Sequence, residues 1–183
     1  MQAQRVLIAA LVAVVIIAAC APKAPAPPPP PAIPELDRPG TAVLQRVSVG
    51  AIVEQALEPV PLLALLQQAG FLAGAERSWS NRSSDVWMVT VRALRFASPE
   101  GAGRYDSWLE VHGAELIGGG VAAHPLGHMG ALVRHHEPGG CCPNKDTTWY
   151  LSAWREGSVE WLVFVGGPGA DRAAVSDVVE AVA

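Results

Sequence analysis

Between Ala21 and Pro39 lie nine of the chain's sixteen prolines, five of them consecutive from Pro27 to Pro31. Proline fixes φ and has no N–H to donate, so this stretch can enter neither a helix interior nor the middle of a sheet. It favours extended polyproline II at about 3.1 Å per residue, roughly 59 Å for nineteen residues. The run therefore divides the 183-residue chain, and a compact domain has to come from residue 40 onward. It reads as a tether that holds such a domain clear of a surface, with a ligand for a proline-recognising module as the alternative.

What precedes the prolines reads as a processing signal. Arg5 supplies a positive start, and Val6 to Ala19 is an uncharged apolar run of fourteen residues, the length of a signal-peptide core. No later stretch approaches the ~20 unbroken apolar residues that a membrane span needs. The run ends in Ile17-Ala18-Ala19-Cys20, which resembles the lipobox of bacterial lipoproteins. Small residues at Ala18 and Ala19 suit a peptidase cleft, and Cys20 supplies a thiol for a thioether to diacylglycerol. The resemblance implies cleavage before Cys20 and two or three acyl chains on it, a stable palmitate-type anchor to the cell membrane with the protein on the extracytoplasmic face. It also implies that Ala21, which is not an aspartate-type retention signal, would send the protein to the outer membrane of a diderm host. Three regions follow: signal peptide 1–19, lipidated Cys20 and tether 20–39, and one extracytoplasmic domain 40–183.

Cleavage would remove one of 13 basic residues and leave 12 against 17 acidic ones, a net charge of −5. A mildly acidic domain without a basic block has no electrostatic footprint for nucleic acid.

Within the domain, residues 41 to 57 mix strand-like Val43, Val47 and Val49 with a helical Ala51 to Leu57. Leu62, Leu65, Leu66 and Ala69 then predict an amphipathic helix capped by Gly70. A strand around Trp79 and a longer one over Val86 to Phe96 follow, the latter with apolar residues on both faces and therefore central. Ser98-Pro99-Glu100 is a helix start, and a strand is expected over Gly130 to His135. Thr148 to Trp154 and Val159 to Val165 predict a hairpin turning at Glu156-Gly157, with Trp149, Leu151 and Ala153 facing Trp161, Val163 and Val165. Ala174, Val175, Val178, Val179 and Val182 form the stripe of a final helix. This order predicts an α+β fold, an antiparallel sheet of about four to five strands with helices packed on one face. Together with the junction Arg95 to Ala102 and the closing hairpin and helix, it resembles small extracytoplasmic domains of actinobacterial lipoproteins and sensor-kinase ectodomains. The resemblance implies binding of an envelope protein or small ligand.

One segment carries groups with metal chemistry: His124, His128, His135, His136, Glu137, Cys141 and Cys142 fall within nineteen residues. Imidazole and thiolate are ligands for zinc or copper, which makes a metal-binding or redox-responsive envelope lipoprotein the alternative function. No established ligand spacing is present, however, and His135 and His136 are equally expected to alternate across a strand. With Cys20 acylated, Cys141 and Cys142 can pair within the chain only with each other. Their Cα atoms would be about 3.8 Å apart, a strained disulfide clipping a tight turn. Redox sensing, metal ligation and an intermolecular bridge stand beside that reading. No nucleophile elbow, phosphate loop or metalloprotease helix is present, so no enzyme activity is expected and no cofactor is required. Asp106 and Glu110 read as a solvated helix face, and Trp79 and Trp154 as the tryptophans best placed for exposed contacts.

Overall fold

The computed structural model describes residues 26–30, 42–56, 59–80, 85–117, 122–125, 131–137 and 147–182. Seven strands form one sheet: β1 (Ala42–Val47), β2 (Phe71–Ser80), β3 (Met88–Phe96), β4 (Ala122–Pro125), β5 (Ala131–Glu137), β6 (Thr147–Glu156) and β7 (Val159–Gly167). The order across the sheet is β1-β2-β3-β7-β6-β5-β4, with every neighbouring pair antiparallel. Two meanders, β1–β3 and β4–β7, are thus joined edge to edge by β3 and β7. Antiparallel strands with helices packed against them make the domain α+β, as expected. Five central strands, β2-β3-β7-β6-β5, are extended at the edges by β1 and the short β4.

Four helices were built by the local signals that capping chemistry supplies. In α1 (Val49–Val53) the Ser48 side chain accepts from the Ala51 amide at 3.2 Å. Helix α2 (Pro59–Gln68) buries Leu62 and Leu66 and ends at Gly70, whose φ of +69° only glycine adopts without strain. Helix α3 (Pro99–His112) starts on Ser98, which accepts from the Gly101 amide at 3.1 Å, and runs into a 3₁₀ turn, Gly113–Ile117. Helix α4 (Arg172–Val182) is capped by Asp171, which accepts from the Ala174 amide at 2.8 Å.

The sheet is covered on both faces, wider cover than the single helical layer expected. Val89, Val91 and Ala93 of β3 and Val163 and Val165 of β7 share one core with Val175, Val178 and Val179 of α4. Leu94 and Phe96 of β3 and Leu162 and Phe164 of β7 share the other with Ile52, Leu62, Leu66, Tyr105 and Leu109 of α1–α3. The reason is in β7, which is apolar at both parities and buried along its whole length, so each face needs a lid.

Two details of the expected hairpin are corrected. Its turn is the two-residue Gly157-Ser158, with Gly157 at φ +57°, and the register pairs Trp154 with Trp161. Tyr150 and Trp154 therefore face the core of Trp161, Val163 and Val165, while Leu151 and Ala153 join Leu162 and Phe164 on the other side. A one-residue shift in register exchanges the faces of a whole strand. Consequently Trp154 is not exposed: it stacks on Trp161 at 6.0 Å and is 6% accessible, and Trp79 is 3% accessible.

In the described part of the proline run, Pro27 and Pro30 are buried and Ala26 and Pro29 exposed. Pro27 and Pro30 thus lie against protein.

Candidate functional site

The strongest chemical perturbation sits beneath α3. Glu160 of β7 pairs across the sheet with Leu94 on one side and Arg155 on the other, on the face that α3 covers. Its side chain is wholly buried, and neither carboxyl oxygen has a hydrogen-bond partner among the described residues. Burial pushes its pKa from 4.5 to about 9; the like charge of Asp106 adds to the rise and Arg155 opposes it. Asp106, half-buried on α3, is itself held above the ordinary carboxylate range by burial, with Arg155 lowering and Glu110 raising it. The solvated helix face expected for Asp106 is thus only partly solvated, because Arg155 rises beside it. The Arg155 guanidinium donates to the Pro99 carbonyl at 2.9 Å, and a Cβ on Gly103 would lie 2.7 Å from its Nη1. Tyr105, fully buried on the same helix, has its hydroxyl pKa driven upward by burial, with Arg92 opposing and Glu160 adding to it.

A second polar cluster lies one row along the same face. Arg92 of β3 and Glu76 of β2 form a buried ion pair, Nη2 to Oε2 2.5 Å and Nε to Oε2 2.7 Å. Its remaining valences are filled: Arg92 Nη1 donates to Gln55 Oε1 at 2.9 Å, and Glu76 Oε1 accepts from Gln45 Nε2 at 2.9 Å and Ser78 Oγ at 3.2 Å. Thr90 Oγ1 extends the chain to Ser78 at 3.1 Å, and the guanidinium lies 5.3 Å from the Phe164 ring centroid. The cluster ties β1, β2, β3 and the end of α1 together. Along α3 a ring ladder runs outward, Tyr105 on Trp108 at 5.8 Å and Trp108 on His112 at 5.2 Å, with His112 Nδ1 2.6 Å from Glu115 Oε1.

These arrangements specify packing. At neutral pH Glu160 is a neutral carboxylic acid with no accessible surface, so no dissolved substrate touches it. The Arg92–Glu76 pair is saturated by its neighbours. Both were missed in the sequence, although each carries a signal: Glu160 shares parity with Leu162 and Phe164, and Arg92 with Leu94, so each charged residue falls on an apolar face.

The residues singled out for metal chemistry are placed as follows. His124 lies in β4 opposite Leu132; His135 and His136 lie in β5 opposite Trp149 and Thr148. The register sets His124 four positions along β5 from His136, roughly 13 Å of strand. His128, Cys141 and Cys142 lie outside the described residues, as does Cys20. Among the described residues no group of three or more His, Cys, Asp or Glu is placed to hold a metal, and no helix is long and apolar enough to cross a membrane. No protein-family model matches the chain, and neither a curated protein nor a solved structure matches it.

Proposed function

We propose that this protein is a lipid-anchored module of the bacterial cell envelope, facing outward from the cytoplasm, that acts by binding an envelope protein or small ligand and not by catalysis. The observation that carries the reading is Ile17-Ala18-Ala19-Cys20 at the end of an apolar run and directly before the prolines. A cysteine in that position takes the acyl chains that hold a protein at a membrane for good. Among the described residues, Glu160 is sealed from solvent and the Arg92–Glu76 pair is saturated by its neighbours.

Radiolabelled palmitate in an exporting bacterial host tests the anchor. Wild-type protein is expected to take up label and sediment with membranes, and Cys20→Ser to lose both. Membrane retention of an unlabelled Cys20→Ser protein would overturn the reading. Site-specific cross-linking of the anchored protein in cells then tests the module, with one envelope component captured in constant proportion as the expected result.

A further inference from the structure

We infer that the proline run folds back and is held in cis by its own domain, seated on the face of β2 and β3 beside α4, so that this sheet face is a polyproline-binding surface. The pattern of burial is the first observation. Pro27 and Pro30 are buried, Pro28 is intermediate, and Ala26 and Pro29 are exposed. Polyproline II has three residues per turn, so positions 27 and 30 fall on one face of the helix and 26 and 29 on another. A free spacer in water would expose all of its faces alike.

The seat follows by elimination within the described fold. One side of the sheet is occupied by α1, α2, α3 and the 3₁₀ turn. On the other side α4 lies over β6 and β7. There Trp79 of β2 is 3% accessible, Val89 of β3 3% and Val91 0%, while the described helix that packs against β2 is α2, whose Leu62 and Leu66 lie in the opposite core. Val91 shares its core with the valines of α4, and Val86 and Ala170 adjoin it, which leaves Trp79, one strand further out, needing cover. Arg77 and Trp79, both at this parity of β2, are engaged residues and not free ones. An indole is the usual platform for proline rings, since flat apolar surface meets flat apolar surface with no rotamer entropy lost by the ligand. Connectivity permits the seat: eleven residues lie between Pro30 and Ala42, up to roughly 40 Å of chain, and β1 borders β2. The spacer between Cys20 and the strap then shrinks to residues 21–26, roughly 19 Å when extended, and the domain is drawn toward whatever holds Cys20.

The test uses the full-length exported protein purified in detergent, and it does not depend on whether Cys20 is acylated. A photo-reactive amino acid in place of Pro28 is expected to cross-link to β2 and β3 around Arg77, Trp79 and Val91. Cross-links confined to α1–α3, or none to the domain, would overturn the seat. In parallel, Pro27→Glu/Pro30→Glu should speed amide exchange of β2 and β3 by about tenfold, the response of a domain that loses a docked segment. Ala26→Glu/Pro29→Glu, on the exposed face, should leave exchange at the wild-type rate. Equal behaviour of the two double variants would show a free stalk and overturn the proposal.

Discussion

Replacing Glu160 by glutamine is expected to stabilise the domain at neutral and alkaline pH, by an amount set by how deeply the carboxyl is buried. In the unfolded chain the group titrates at its ordinary 4.5, and in the folded domain burial raises it to about 9. Below pH 4.5 both states hold the proton and the residue costs nothing through ionisation. Between 4.5 and 9 the unfolded chain releases the proton and the folded domain keeps it. Stability therefore falls as pH rises, by up to ~1.4 kcal/mol per unit, or about 3 kcal/mol by pH 7. Glutamine is close in shape and has no such proton to lose. It leaves an amide as poorly partnered as the acid, so the two proteins should be similar near pH 5 and diverge above it. Urea unfolding of wild type and Glu160→Gln at pH 5, 6, 7 and 8 reads the difference directly. The midpoint of the variant should pull ahead by ~2–3 kcal/mol between pH 5 and 7. Parallel pH profiles would refute the reasoning, because they would mean that Glu160 ionises as readily in the folded domain as in the unfolded chain.

Three further variants probe the packing. Arg92→Ala leaves Glu76 buried without its countercharge and should cost ~3–5 kcal/mol in chemical denaturation, against little for the paired replacement Arg92→Met/Glu76→Leu. Gly101→Ala would ordinarily favour a helix, yet a Cβ there would lie 2.0 Å from the Ala69 carbonyl oxygen, so α3 must move off α2; a loss of ~1–3 kcal/mol is expected, and a gain in melting temperature would refute the close approach. Ser98→Ala removes the acceptor for the Gly101 amide and should cost ~1 kcal/mol, read as a lowered melting temperature.

Much of the architecture is written locally. Leu62 and Leu66 one turn apart, Ser98 before Pro99, and the valine stripe of residues 175–182 each specify a helix through contacts within a few positions, and the structure has all three. The central position of β3 was legible because both of its parities are apolar. The candidate site was not legible in the same way. Glu76 and Arg92 are 16 residues apart and meet only because β2 pairs with β3 in one particular register.

By itself, then, the sequence determined where helices begin and end and which strands are apolar on both faces. Tertiary structure decided what those elements face. The two-residue turn at Gly157-Ser158 chose the parity of β6, which buried Trp154 and turned Leu151 toward the helices. α3, lying over β7, made Glu160 a neutral acid, while α4 took the opposite face. The physical reason is one of range. Capping and periodicity act over a few residues, whereas burial and the charge state of a carboxyl are set by neighbours that the chain brings together only once the sheet has closed.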